Sequence, residues 1–208
     1  MTKAIDKDAI PMRHGRRIRV RRYACDDMRA TWQILAKKGR GTMSDGPLLN
    51  DVTRAFAEAH RNEDVRDLAL KTKRTADLDL PAALDQIAGW QIARNKLPQW
   101  AACADIVYPA HISMEQCSSQ FTAQYKAEIA RRLLRSLPQS AGQTANDATM
   151  TDLTGGFGVD FSYLAREFGH ATYVERQSHL CELAAHNMAA LGLTQAQVVC
   201  GDGVEYLR

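Results

Sequence analysis

The sequence has no long apolar run. No stretch of its 208 residues approaches the ~18 consecutive apolar residues that a membrane-spanning helix needs. The N-terminus is basic, but it lacks the apolar segment that follows such a start in a secretory signal. The sequence therefore predicts neither membrane insertion nor secretion, although its 45% of apolar residues is enough for a hydrophobic core.

Paired cysteines are also missing. The five cysteines are scattered, and none stands in the Cys-x-x-Cys spacing of many zinc and redox sites. They indicate free thiols, which fits a cytoplasmic protein without a zinc site. No histidine stands where it would activate Cys117, so we expect a buried or pocket-lining thiol there. The five are Cys25, Cys103, Cys117, Cys181 and Cys200.

Positive charge is concentrated at the N-terminus and scarce elsewhere. Residues 1–42 hold twelve Lys and Arg against four Asp and Glu, a local excess of eight positive charges. Because the whole chain has a net charge of +3, the remaining residues carry a net charge of −5. The densest run, Arg13–Arg22, is typical of an arm that binds nucleic acid. It also fits a disordered leader, or residues upstream of a natural start at Met43.

Residues 43–136 predict a helical N-terminal region. Apolar residues recur near helical spacing from Leu48 to His60. Pro81 suits a first helical turn, where its missing N–H costs no hydrogen bond, and Leu97-Pro98 ends the helix that follows. That helix carries its apolar residues on one face, at Leu84, Ile87, Ala88 and Ile92.

A further helix is predicted from a serine cap at Ser118 or Ser119. An apolar residue follows at every fourth position, which predicts a face buried in the protein core. Residues 137–147 are rich in Ser, Gly, Gln and Asn and predict a linker to a second part of the chain. The apolar residues of the predicted buried face are Phe121, Tyr125, Ile129 and Leu133.

From residue 148 to residue 208 the pattern changes to alternating strands and helices. The order is strand–helix–strand–helix–strand, and glycines close both helices. It predicts the first half of a doubly wound, Rossmann-like α/β domain. The predicted strands are Thr149–Thr154, Ala171–Val174 and Gln197–Cys200, and the predicted helices are Asp160–Phe168 and Ser178–Leu191.

A glycine-rich turn joins the first predicted strand to the first helix, in the sequence Asp152-Leu-Thr-Gly-Gly-Phe-Gly-Val-Asp160. Side chains at Gly156 and Gly158 would keep the backbone away from a ligand, and a tight turn may require the positive φ that glycine tolerates. The helix that begins near Val159 has free N–H groups at its N-terminus. The turn therefore predicts a site for a nucleotide-like cofactor.

Two classes of cofactor, dinucleotides and S-adenosylmethionine, could explain this turn. Dinucleotide sites favour Gly-x-Gly-x-x-Gly, whose third glycine lets the helix pack closely on the strand. Here Phe161 stands at that third position, so the match fails. Asp152, at the end of the strand, would sit badly beside a pyrophosphate but suits a ligand with a cationic amino group. S-adenosylmethionine is such a ligand.

Acidic residues follow the other two predicted strands. Glu175 ends the second strand, where a carboxylate can accept hydrogen bonds from both ribose hydroxyls of either class of cofactor. Asp202 follows the third strand, where its side chain can reach an adenine amino group. Three acids at successive strand ends, together with the Gly-x-Gly turn, favour S-adenosylmethionine. Taken alone, an aspartate after a strand is more often a turn former.

The glycine-rich turn, Tyr173–Arg176 and Cys200–Gly203 together resemble class I S-adenosylmethionine-dependent methyltransferases. The resemblance is closer to a bacterial group of these enzymes that carries a THUMP-like domain. In that group a segment like Tyr108–Lys126 precedes the first strand, and one like Gln86–Arg94 belongs to a helical N-terminal region.

The resemblance implies a set of cofactor-binding residues. In the family, the glycine-rich turn holds the methionine part of the cofactor, the acid after the second strand holds the ribose, and the acid after the third holds adenine. These positions correspond to Asp152, Gly156 and Gly158, then Glu175, then Asp202. The segment before the first strand is expected to pack over the cofactor, where its polar side chains either contact the ligand or cap helices. Those side chains are Gln116, Ser118, Ser119, Thr122 and Lys126.

The likeness runs from about Met43 to Arg208 and leaves much of the family pattern unmatched. Class I methyltransferase domains usually have seven strands, of which three are predicted here. No proline follows Pro138, so the Asn/Asp-Pro-Pro-Tyr type of segment that grips a target nitrogen is missing, as is the THUMP-like domain. We therefore expect a truncated methyltransferase that is inactive alone and has an unpaired edge on its first strand.

Three functions stay open at this point. The first, by resemblance, is methyl transfer from S-adenosylmethionine, with RNA as the expected acceptor. The second is a non-catalytic nucleic-acid-binding module that uses Arg13–Arg22. The third is a nicotinamide-dependent oxidoreductase, against which the missing third glycine counts.

Overall fold

The computed structural model describes residues 48–136 and 148–208. The basic run Arg13–Arg22, the start expected at Met43 and the linker predicted at 137–147 lie outside the described residues. None of the helices in the two described ranges is both long and apolar enough to cross a bilayer.

Six helices lie in residues 48–136, and the apolar periodicity predicts three of them, those that begin at Asp51, Leu80 and Gln120. Three of them follow a residue whose side-chain oxygen accepts hydrogen bonds from the first turn, which satisfies free N–H groups at the helix start. These caps are Asn50, Asp64 and Asp79, and Pro81 lies in a first turn as predicted. The helices are α1 (Asp51–His60), α2 (Val65–Lys71), α3 (Leu80–Lys96), α4 (Pro98–Ala101), α5 (His111–Gln116) and α6 (Gln120–Ser136).

The predicted alternation of strands and helices is confirmed in residues 148–208. Three parallel strands lie side by side in chain order, and a helix forms each crossover between them, as parallel pairing requires. A short helix follows the third strand. The elements are β1 (Thr149–Asp152), α7 (Val159–Leu164) with a 3-10 turn (Ala165–Glu167), β2 (His170–Glu175), α8 (Ser178–Ala190), β3 (Ala196–Cys200) and α9 (Gly203–Tyr206).

β1 ends two residues before its predicted end at Thr154. The cause is local, since Asp152 Oδ1 accepts a hydrogen bond from the Thr154 N–H at 3.0 Å and turns the chain. The parallel register pairs Asp152 with Tyr173 and Glu175 with Cys200. The carboxyl ends of the three strands therefore meet at one edge of the sheet.

The helical region and the sheet share one hydrophobic core. Trp100 packs edge-on against Phe157, with ring centroids 4.9 Å apart. Asn187 on α8 is fully buried, where its amide Oδ1 accepts from Val107 N at 2.9 Å and its Nδ2 donates to Val107 O at 2.8 Å. Because a buried amide needs its partners, this pair holds the segment before α5 against α8.

The buried face predicted for α6 is wrong. α6 buries Ala123 and Ala127 on the face that packs against α7. These small residues let the two helices approach closely, so the large apolar residues are left on the solvent side. The exposed residues, called the α6 stripe below, are Phe121 (79% exposed), Tyr125 (61%), Ile129 (39%) and Leu133 (53%).

Candidate cofactor site

The glycine-rich turn leads from β1 into α7 through conformations that favour glycine. Gly156 and Gly158 have φ angles of 57° and 85°, in the left-handed region that a Cβ disfavours. A Cβ on Gly158 would also lie 2.7 Å from Met188 Cε. The shape of the turn therefore requires glycine at both of these predicted positions.

Sequence reasoning missed the role of Gly155 and of the tyrosine beneath it. A Cβ on Gly155 would lie 2.1 Å from Tyr173 Cε2, and the Tyr173 ring is fully buried. The Tyr173 hydroxyl donates a hydrogen bond to Gly156 O at 2.5 Å. Burial raises the pKa of Tyr173, and the negative charge of Glu175 adds to the shift. Tyr173 thus supports the turn from the neighbouring strand, which no local pattern signals.

Glu175, the predicted ribose ligand, ends β2 directly beside the turn. Its Oε2 accepts a hydrogen bond from the Gly156 N–H at 3.0 Å, and its Oε1 accepts one from the Gln177 N–H at 2.8 Å. Each carboxylate oxygen has a further lone pair. Glu175 can therefore hold the turn and still accept a hydrogen bond from a ligand hydroxyl.

Asp152 and Asp202 shape the loops that follow β1 and β3. Asp152 makes the turn at the end of β1, and Asp202 Oδ1 caps α9 by accepting from two backbone N–H groups at 2.8 and 3.2 Å. The two loops touch, because a Cβ on Gly203 would lie 2.3 Å from Leu153 O. Both aspartates therefore act as turn formers, at the same sheet edge as Glu175.

Ser118 and Lys126 meet at Asp160, in the first turn of α7. Lys126 Nζ donates to Asp160 Oδ2 at 2.6 Å and to Ser118 Oγ at 3.0 Å. The Ser118 hydroxyl donates to Asp160 Oδ2 at 3.0 Å. Because Asp160 lies two residues after Gly158, the cluster ties α6 to the end of the glycine-rich turn. The motifs contain all three residues, but their mutual contacts emerge only in the fold.

Gln116, Ser119 and Thr122 are not brought to the turn in this way. Ser119 Oγ accepts from the Thr122 N–H at 3.2 Å and lies 3.0 Å from Thr122 Oγ1, which is a capping arrangement at the start of α6. Gln116 ends α5 and is exposed. A ligand-binding role for these three residues stays a prediction.

Two cysteine thiols, those of Cys117 and Cys181, lie close in sequence or in space to the predicted cofactor-binding residues. Cys117 Sγ donates to Met114 O at 3.2 Å, and burial is the main cause that raises the pKa of this thiol. Cys181 Sγ donates to Glu175 O at 3.1 Å, and burial raises its pKa as well. A raised pKa disfavours the reactive thiolate, so both thiols are suited to packing. Within residues 48–136 and 148–208, no His, Cys, Asp and Glu side chains cluster in a way that would hold a metal ion.

No protein-family model and no curated protein matches the chain. Among solved structures, the chain is similar to the crystal structure of a "putative methyltransferase from Porphyromonas gingivalis W83", with 28% sequence identity and a TM-score of 0.57. The match covers 75% of this chain and 36% of that chain, so the chain spans about a third of the length of the protein it matches. The described residues therefore have a partial α/β fold of the methyltransferase type.

Proposed function

We propose that the described residues form the cofactor-binding part of a methyltransferase that uses S-adenosylmethionine. The main support for the proposal is the hydrogen bond that the Gly156 N–H of the glycine-rich turn donates to Glu175 Oε2. Ligands of open α/β sheets bind in the crevice outside the carboxyl ends of the strands, where this contact lies. The likeness to the Porphyromonas gingivalis protein supports the proposal.

The residues present fit this cofactor. A Cβ on Gly155 or Gly158 would meet the buried side chains of Tyr173 or Met188, and Gly156 has a positive φ, so the path of the turn past Glu175 depends on glycine at all three positions. The three acids at the sheet edge match the hydrogen-bond donors of the cofactor. Asp152 would hold the cationic amino group, Glu175 the ribose hydroxyls and Asp202 the adenine amino group.

The packing of α7 disfavours a dinucleotide. Phe161, at the position of the third glycine of dinucleotide sites, is fully buried and packs edge-on against Tyr173, with ring centroids 5.5 Å apart. The ring therefore occupies the space between helix and sheet that the third glycine would leave for close packing.

The bound sulfonium supplies an already activated methyl group, so the main task of the protein is to position the reactants. In this chain, Tyr173 and Glu175 hold the turn in place, and the contacts of Ser118 and Lys126 with Asp160 hold α6 beside it. We propose RNA as the methyl acceptor, on the resemblance to the methyltransferases with a THUMP-like domain.

Calorimetry with S-adenosylhomocysteine and with NAD tests the cofactor. We expect S-adenosylhomocysteine to bind and NAD to give no heat. Glu175→Gln should weaken S-adenosylhomocysteine by about tenfold, which corresponds to about 1.4 kcal/mol, because a neutral amide is a weaker acceptor for the ribose hydroxyls. Glu58→Gln, which removes an exposed carboxylate on α1, is the matched control and should leave binding unchanged.

Binding of NAD in place of S-adenosylhomocysteine would overturn this proposal. So would equal affinities of the Glu175→Gln and Glu58→Gln variants. Transfer of a labelled methyl group to total RNA tests the expected inactivity of the chain by itself. Because the match covers only 36% of the Porphyromonas gingivalis chain, we expect the 208-residue chain to bind the cofactor without methylating RNA, and efficient transfer would contradict that expectation.

A further inference from the structure

Two exposed arginines of the helical region lie over one tryptophan ring. Arg61 Cζ lies 4.7 Å from the centroid of the Trp90 ring, and Arg94 Cζ lies 5.7 Å from it. A guanidinium within about 6 Å of an indole centroid is attracted by the ring, so the indole orients both side chains. These three residues, called the Arg–Trp cluster below, present two positive charges in a defined arrangement at the surface.

Hydrogen bonds to the backbone tie together the elements that carry the cluster. Gln91 Nε2 donates to Arg61 O at 3.0 Å and to Glu63 O at 2.7 Å, which holds the loop after α1 against α3. The half-buried Trp90 donates from Nε1 to Ala101 O at 3.3 Å. The cluster is therefore assembled before any ligand binds, which lowers the entropic cost of binding.

The two guanidinium groups are not neutralised within the fold. Among the residues that the structure describes, neither Arg61 nor Arg94 forms an ion pair. The acids of the adjacent loop are engaged elsewhere, since Glu63 Oε1 lies 2.6 Å from His60 Nδ1 and Asp64 Oδ1 accepts from two N–H groups of α2. Like charges held beside one ring repel each other, so a bound anion would stabilise the cluster.

We propose that the Arg–Trp cluster is a binding site for single-stranded nucleic acid, in which the guanidinium groups bind phosphates and their flat faces stack on bases. Arginine binds phosphate through two parallel hydrogen bonds and also stacks on planar rings. Proteins that bind single strands combine such cations with aromatic side chains. A small inorganic anion would use the charges alone, whereas a polynucleotide uses both the charges and the planar groups.

The cluster differs in kind from the basic run Arg13–Arg22. That run is dense in charge but contains no Phe, Tyr or Trp, so its sequence favours any polyanion. An acidic peptide could pair with the charges of the cluster but would leave its planar groups unstacked. Nucleic acid therefore fits the cluster better than an acidic protein segment does.

One short helix, α4, contacts both the cluster and the glycine-rich turn. Ala101 of α4 accepts the hydrogen bond from Trp90, and the neighbouring Trp100 packs edge-on against Phe157 of the turn. A strand bound at the cluster would therefore lie near the candidate cofactor site. Its role as the methyl acceptor rests on the proposed function, whereas the binding itself does not.

Fluorescence anisotropy with labelled oligouridine and oligodeoxythymidine tests the site on the full 208-residue chain. For the double variant Arg61→Gln/Arg94→Gln we expect Kd to rise about tenfold at about 0.1 M salt. The slope of log K against log salt should become shallower by about 1.4, because each lost phosphate contact contributes about 0.7. Arg135→Gln, which removes an exposed arginine on α6, is the matched control and should leave both quantities nearly unchanged. The two oligonucleotides share the chemistry of the site, and the tighter one identifies its source.

A conservative variant separates recognition from charge. Arg61→Lys/Arg94→Lys keeps both charges, so the salt slope should stay at the parent value, but Kd should rise about threefold because lysine has no planar fork. Crosslinks from oligouridine that contains 4-thiouridine should map to peptides with Arg61 or Trp90. Because the substituted side chains are exposed, all variants should keep the urea midpoint of the parent.

Equal Kd values and salt slopes for Arg61→Gln/Arg94→Gln and Arg135→Gln would overturn the proposal, and so would parent affinity in the lysine variant. Crosslinks confined to Arg13–Arg22 would overturn it in favour of the basic run. Displacement of oligouridine by polyglutamate at equal charge concentration would overturn it in favour of an acidic protein. None of these measurements involves the cofactor, so failure here leaves the S-adenosylmethionine proposal standing, and absence of S-adenosylhomocysteine binding leaves this site standing.

Discussion

Steric contact at single residues shapes the candidate site as strongly as charge does. The carboxylate of Glu175 reaches the turn only because Gly156 presents its N–H there. That backbone position depends in turn on Gly155, which lies against the ring of Tyr173. The position of Glu175 beside the turn therefore depends on Gly155 and Tyr173, two uncharged residues that do not themselves indicate a cofactor site.

Gly155→Ala tests this dependence. The added methyl group would lie 2.1–2.5 Å from three ring atoms of Tyr173, and a fully buried ring cannot move aside without disturbing the core. We expect a loss of about 2 kcal/mol in the free energy of unfolding, measured by urea denaturation. Gly201→Ala, where a Cβ would meet nothing within 4 Å, is the control and should change it by less than about 0.5 kcal/mol. Equal losses would show that Tyr173 does not restrict the turn.

At the scale of elements, the sequence predicts what depends on local patterns. The three strands and their crossover helices follow from alternation and glycine stops, and they are confirmed. The α6 stripe shows the limit of such reasoning, because periodicity identifies an apolar face without saying what covers it. The role of Tyr173 is missed for a similar reason, since its contact with Gly155 links β2 to a turn that lies eighteen residues earlier in the sequence.

The link between α6 and α7 is testable through Lys126 and Asp160. Their side chains are 44% and 32% exposed, so water screens the ion pair and we expect a coupling of about 0.5–1 kcal/mol. A double-mutant cycle with Lys126→Met and Asp160→Asn, followed by urea denaturation, would measure it, and 1 M salt should reduce it. Arg135→Met, at an exposed site near the end of α6, is the control. A coupling near zero at low salt would mean that Ser118 alone anchors Asp160.

At the scale of the whole molecule, both described parts contribute buried tyrosines to one core. Tyr108 comes from the helical region, and Tyr163 and Tyr173 come from the α/β part. The hydroxyls of Tyr108 and Tyr163 have no hydrogen-bond partner among the described residues. Burial is the main cause that raises the pKa of all three above the ordinary value of 10.0.

These raised pKa values predict how stability depends on pH. Well below pH 10 the three tyrosines are protonated in both the folded and the unfolded state, so their contribution to stability is fully present. As the pH rises further, the unfolded chain loses protons that the folded chain retains. The free energy of unfolding should then fall by up to about 1.4 kcal/mol per pH unit for each tyrosine. Urea denaturation from pH 8 to pH 11.5 would measure the slope.

Tyr108→Phe and Tyr173→Phe should each reduce that alkaline slope, because each removes one of the five groups whose pKa is raised by burial, which are the three tyrosines and the thiols of Cys117 and Cys181. The two residues lie on opposite sides of residues 137–147 in the sequence but belong to one core. Circular dichroism and tyrosinate absorbance should therefore report a single coincident transition in both variants. If the helical region and the α/β part unfolded independently, the two variants would instead change separate transitions at different urea concentrations.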